Sequence, residues 1–209
     1  ASIVNINALS VGLLVRRIHH WSAHIMLAAI VVHMGRVYFT GAYKKPRDIN
    51  WLIGAILLQV TILAAFVGYL LPFDEFAVTA TSIGYEVFNS IPWVGGTIAS
   101  LAFAGPFPNP NLVPRFFTAH VFLIPLLLIG LIGVHLLILF KLKHTQDPHV
   151  TETLRERAGD IKEKGLVGAP MWPEQAVLSL TVFLSFLAGV TVLSAFVPIH
   201  PVEAYGPPV

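Results

Sequence analysis

Residues 16–36 read RRIHHWSAHIMLAAIVVHMGR, and this stretch decides the fold. Apolar side chains fill its middle, formal charge is confined to Arg16, Arg17 and Arg36 at its ends, and imidazoles stand at His19, His20, His24 and His33. The run meets the ~20 apolar residues that a helix needs to cross the hydrocarbon of a bilayer. Imidazoles inside such a span are costly, so each is either a hydrogen-bonded packing residue or part of a functional site. His19 and His33 are separated by about 21 Å of helical rise and return to within roughly 40° of one face. His20 and His24 lie about 220° and 180° around the helix from His33, so neither shares its face.

The rest of the chain has the same character. Its 209 residues are 56% hydrophobic and 11% charged, with a mean hydropathy of +0.75, whereas a soluble domain carries roughly a quarter charged residues. The expected fold is all-α: a polytopic membrane protein with a four-helix transmembrane bundle. Its spans are placed at about Ile18 to Thr40, Trp51 to Leu71, Phe116 to Phe140 and Pro173 to Val197. A long loop, residues 72–115, joins the second and third. Helix-like pieces at Val78 to Phe88 and Thr97 to Phe103 are broken there by Pro92, Gly95, Gly96 and the run Gly105-Pro106-Phe107-Pro108-Asn109-Pro110. Long ordered loops of this kind cap sites. The charged run from Lys141 to Lys164 reads as a solvated connector. Residues 1–145, 146–170 and 171–209 thus divide into a three-span portion, a connector and a final span.

Charge sets direction and excludes partners. Ten of the 13 Lys and Arg fall in Arg36 to Arg47 and Lys141 to Lys164, the first and third inter-helix connections. The positive-inside rule turns both toward the cytoplasm, so the first and third spans run inward and the 72–115 loop is outer. A net charge of +2 gives no footprint for nucleic acid. That topology places Ala1 outside and calls for an upstream piece of chain. With no Cys, disulfides, iron-sulfur ligation and covalent haem attachment are excluded for this chain, which leaves His and carboxylates as metal ligands.

The third span carries His120 and His135, about 22 Å apart along the axis and roughly 60° around it. On parallel spans the first His of each helix faces the first, and the second faces the second. Two stacked bis-imidazole sites result, a way to hold haem iron without Cys. His144, His149 and His200 fall in connector or tail and read as solvated. Arg16, Arg36 and Arg115 stand close in sequence to His19, His33 and His120, where a guanidinium can neutralise haem propionates or anchor a helix at the headgroups. Gly54 and Gly68 share one face of the second span and admit a close neighbour, either a macrocycle or a helix.

These residues resemble the cytochrome b subunit of Rieske/cytochrome b complexes. The likeness runs through Arg16 to Ala23, His33 to Tyr43, Lys45-Pro46-Arg47, Gly68-Tyr69-Leu70-Leu71-Pro72, Ser90-Ile91-Pro92-Trp93-Val94-Gly95, Arg115 to His135 and Gly168 to Pro173. The His-Trp-Ser-Ala run, the Lys-Pro-Arg turn and the longer His120–His135 spacing are similar to chloroplast-type and actinobacterial members. In family terms the spans are the second to fifth helices. The first helix is expected before Ala1 and the family's Pro-Glu-Trp-Tyr type motif after Val209, so the sequence reads as a fragment. The chloroplast-type branch also attaches a haem through Cys on that first helix.

The resemblance implies two non-covalent haems b between the first and third spans. His19 and His120 would ligate the low-potential haem near the outer face, and His33 and His135 the high-potential haem near the inner face. Gly54 and Gly68 match the family's glycines beside the haems. Tyr69, Pro72, Ala80, Ile91 and Pro92 match the wall of the outer quinol pocket, although Phe73-Asp74-Glu75 departs from the usual sequence there. The implied activity is quinol:cytochrome c oxidoreduction coupled to proton translocation, in the bacterial cytoplasmic membrane. The implied partners are a Rieske iron-sulfur protein, a cytochrome c-type subunit and the remaining part of cytochrome b, in a dimeric complex. A dihaem anchor of another oxidoreductase, such as a hydrogenase or formate dehydrogenase, would explain the His pairs but not the capped outer loop. A non-redox transporter would show no haem spectrum.

Overall fold

The computed structural model describes residues 6–142 and 171–199; the connector 146–170 and His144, His149 and His200 lie outside the described residues. The described residues are helical, in the order α1 (Ser10–Phe39), α2 (Asp48–Leu70), α3 (Glu75–Asn89), α4 (Gly95–Phe103), α5 (Leu112–Leu142) and α6 (Ala176–Phe196). α5 contains one π turn, Ala119–Leu123, and the segment Met171–Gln175 ahead of α6 is kinked by extended backbone at Trp172 (φ -124°, ψ 132°). Helices α1, α2, α5 and α6 are long and apolar enough to cross a membrane.

Element ends follow local chemistry. α1 starts at Ser10, earlier than the expected Ile18, so Arg16 and Arg17 ride on the helix itself. Its 30 residues exceed the ~20 that cross the hydrocarbon, leaving the first turns for the headgroup layer. α3 starts at Glu75 because the Asp74 carboxylate accepts the Ala77 N–H at 2.9 Å, an N-cap worth about 0.5–2 kcal/mol. α4 opens on Gly95, where a Cβ would fall 2.5 Å from the Asn89 carbonyl oxygen and 2.6 Å from that of Phe88. α5 begins at Leu112 because Pro114 sits in its first turn, where a missing N–H costs nothing. The loop 72–115 is therefore mostly helix.

Packing is uneven. α1 packs on α2 and α6, α2 packs on α5, and α3 on α4, whereas close packing of α1 on α5 is absent among the described residues. The buried apolar cluster lies at the loop end: Val67 and Leu70 of α2, Ala77 of α3, Phe103 of α4, and Leu112, Phe116 and Ile124 of α5. Phe103 is its keystone, 2% exposed, with Tyr85 and Phe116 ring centres at 5.6 and 5.7 Å. Fully burying a side chain of this size contributes about 1.5–3 kcal/mol. Elsewhere large apolar side chains such as Val32, Ile129 and Phe140 stay exposed. Such continuous apolar surface suits lipid and partner helices. The molecule is an integral, multi-pass helical membrane protein.

Candidate functional site: two imidazole pairs between α1 and α5

The gap between α1 and α5 is bridged by side chains. His19 of α1 and His120 of α5 face each other with ring centres 6.0 Å apart and ring planes at 82°. Two imidazoles on opposite sides of one metal ion, each with a metal–nitrogen bond of about 2.0–2.1 Å, have ring centres about 6.3 Å apart. The observed separation is within a few tenths of an ångström of that, so the spacing of the pair fits a haem iron held between the two rings.

Three features of α2 and α5 set the His120 ring. It stands in the π turn Ala119–Leu123. Its Nδ1 lies 3.0 Å from the Ala64 carbonyl oxygen; facing an acceptor, Nδ1 carries the hydrogen and leaves the Nε2 lone pair for a metal. On the same face of α2, one turn on, Gly68 leaves room for the ring: a Cβ there would come within 2.5 Å of His120 Cε1.

At the other end His33 and His135 line one cavity of about 560 Å³, within the roughly 300–1,000 Å³ range of ligand sites. Gly54 forms part of its wall, where a Cβ would meet His135 Cε1 at 3.6 Å and Met34 Sδ at 3.8 Å. His135 Nδ1 is buried beside the Asn50 backbone without a hydrogen bond of full geometry. Each glycine of α2 thus faces an imidazole of α5. The close neighbour that these glycines admit is a candidate ligand ring.

Basic groups flank both pairs. Arg36 lines the His33–His135 cavity. So do Arg47, whose Nη2 donates to the Leu142 carbonyl at 3.1 Å, and Asn50, whose Oδ1 is buried without a partner. Neither Arg47 nor Asn50 was singled out as a site residue from the sequence, although Lys45-Pro46-Arg47 marked the turn. At the loop end Arg16 donates to Asn7 Oδ1 at 3.2 Å and is within electrostatic reach of the buried Asp74. Arg115 donates to the Leu101 carbonyl, which ties α5 to α4.

The five residues matched to a quinol pocket line neither the His33–His135 cavity nor the cavity at Phe73. Tyr69, Ile91 and Pro92 are exposed, Pro72 turns the chain after α2, and Ala80 packs on the buried cluster. A cavity of about 450 Å³ does lie in this region, but Phe73, Val78, Thr79, Ser82, Phe107 and Pro108 are among its lining and none of those five is. His20 and His24 pack on each other, ring centres 4.4 Å apart, with His24 Nδ1 2.8 Å from the His20 carbonyl oxygen. Trp21 beside them donates to the Val197 carbonyl at 3.3 Å, joining α1 to the end of α6.

Comparisons with known proteins identify the family. The family described as cytochrome b (N-terminal)/b6/petB matches residues 24–207. The cytochrome bc1 complex cytochrome b subunit of Streptomyces coelicolor is 39% identical over 196 residues, 94% of this chain and 34% of that protein. Its counterpart from Corynebacterium efficiens is 37% identical over 91% of this chain and 35% of its own length. That from Mycobacterium leprae is 35% identical over 94% and 34%. The chain spans about a third of the length of the curated relatives it matches. With paired imidazoles across a gap between two apolar helices and a family match over most of its length, the chain belongs to the cytochrome b family.

Proposed function

We propose that this chain is the dihaem portion of the cytochrome b subunit of a quinol:cytochrome c oxidoreductase, working in a bacterial cytoplasmic membrane. His19 and His120 would hold the low-potential haem near the outer face, and His33 and His135 would hold the high-potential haem near the inner face. The observation that carries this reading is the 6.0 Å separation of the His19 and His120 rings, a spacing at which the two imidazoles would both reach one haem iron. Two bound haems b supply reversible one-electron redox chemistry.

The chain's own groups do the rest. α1 and α5 set the two sites about 21 Å apart along the bilayer normal, with low-dielectric hydrocarbon around them. Gly54 and Gly68 keep the faces of the two sites clear, and Arg16, Arg36 and Arg115 supply positive charge for propionates. Quinol bound near Tyr69, Pro72, Ala80, Ile91 and Pro92 releases two protons outside and gives up two electrons. One electron leaves through a Rieske iron-sulfur protein to a cytochrome c-type subunit. The other would cross the membrane to a quinone at the inner face, so that two such quinol oxidations deliver the two electrons with which the quinone takes up two protons from that side. The remaining part of cytochrome b completes the quinol site, in a dimeric complex.

Reduced-minus-oxidised spectroscopy of the complex tests the reading. Two b-type haems of different potential are expected, and His33→Leu or His135→Leu should remove one while sparing the other. A colourless complex, or variants that keep both haems, would refute it.

A further inference from the structure

The two imidazole pairs pose a problem of phase. At about 100° per residue, the fourteen-residue step from His19 to His33 leaves them roughly 40° short of a full number of turns, while the fifteen-residue step from His120 to His135 overshoots by roughly 60°. Two straight helices with those spacings differ by about 100°, so a pair that faces correctly at one end is turned away at the other. α1 runs from Ser10 to Phe39 as one α-helix. α5 does not: it widens at Ala119–Leu123, where the Ile124 N–H reaches back to the Ala119 carbonyl.

We infer that this widened turn is the positioning element for His120, absorbing one residue of α5 so that His120 and His135 stand in the same relative phase as His19 and His33. A π turn holds one residue more than an α turn without advancing the helix, so a fifteen-residue step counts as fourteen and its rise falls to about 21 Å, equal to that of α1. The cause is written in the chain. Pro125 has no N–H to return to the Val121 carbonyl, and its ring presses on that carbonyl. Proline is among the few features that open a helix in this way. The opening falls on the turn that carries His120, whose ring is held from the other side by the Ala64 carbonyl and admitted by Gly68. Phe122, at the crest of the turn, points outward and is exposed, so the extra residue sits on the surface rather than in the gap.

The inference rests on the dihaem reading, and the experiment separates the two. In the intact complex, deletion of Phe122 closes the turn to α geometry and should leave both b-type haems, with the inner potential unchanged. Deletion of Ala28, between His19 and His33 on α1, has no widened turn to absorb it and should cost one haem. Insertion of an alanine after Phe122 should also cost one, because the slack in α5 is already used. Loss of a haem on deletion of Phe122 in an assembled complex, or retention of both after the insertion, would overturn the inference. Should the Phe122 deletion not assemble, a genetically encoded spin-labelled residue, which does not depend on thiols elsewhere in the complex, can be scanned along residues 113–136 of the undeleted protein. Oxygen accessibility should follow a helical period with a one-residue slip between 118 and 124, and an unbroken period would overturn the proposal. A wild-type complex without b-type haem would instead refute the dihaem reading, while the scan would still decide the turn.

Discussion

Gly68→Ala is the sharpest perturbation the site offers. The added Cβ would lie 2.5 Å from His120 Cε1, 3.0 Å from Nδ1 and 3.1 Å from Nε2. Carbon atoms in ordinary contact sit about 3.5–4.0 Å apart, so the methyl and the ring overlap by about 1 Å and one must move. α2 is anchored by the buried Val67 and Leu70 on either side, so the ring is the part that yields. A displacement of that size opens the 3.0 Å contact from Nδ1 to the Ala64 carbonyl and changes the 6.0 Å spacing to His19. Overpacking of this kind costs about 1–3 kcal/mol, and losing an outer partner of a metal-ligating imidazole costs about 10–100-fold in affinity. The outer haem of the variant should therefore be retained at least tenfold more weakly, with a shifted potential, in redox titrations of washed membranes. Gly54→Ala is the matched control: its Cβ meets His135 Cε1 at 3.6 Å and Met34 Sδ at 3.8 Å, ordinary contact distances. It should perturb the inner haem far less. Full outer haem content and an unchanged potential in Gly68→Ala, or greater damage from Gly54→Ala, would refute the reasoning.

Other outcomes follow from the same geometry. Asp74→Ala removes the N-cap of α3 and leaves the Ala77 N–H without its acceptor; it should lower stability by about 0.5–2 kcal/mol, read as a drop in the thermal midpoint, while Asp74→Asn should recover most of the loss. Normal stability in Asp74→Ala would show that the cap is dispensable. His24→Leu should leave both haem bands intact, because His24 bonds within its own helix and packs on His20 rather than facing α5; a missing band in the difference spectrum would place it in a haem site after all.

Much of the fold was legible because its determinants are local. A bilayer demands about 20 apolar residues per span, so the apolar runs located four spans, three of them within a turn or two of α2, α5 and α6. The start of α1 was less legible, since Arg16 and Arg17 interrupt its apolar run after Val11, Leu13, Leu14 and Val15. The short helices of the loop were readable from their breakers, Gly95 and the Gly105–Pro110 run, but the start of α3 depended on Asp74, which looked like a departure in a pocket wall rather than a cap. The outer cavity was not readable: its lining comes from residues such as Val78, Ser82 and Phe107, which meet only once the loop has folded back on itself.

The four histidines divide the same way. Their membership of two helices, their order and their rise are properties of single helices, and a sequence determines those by itself because helical geometry repeats every residue. Which ring meets which backbone is a property of neighbouring helices. The approach of Gly68 to His120, the Ala64 carbonyl on Nδ1 and the placing of Arg47 and Asn50 beside His135 required α2 to dock on α5. The phase of the second pair belongs to both levels: Pro125 is local and visible in the chain, but only the packed structure shows that the turn opens at His120, because a proline strains a helix without specifying which side of it must give.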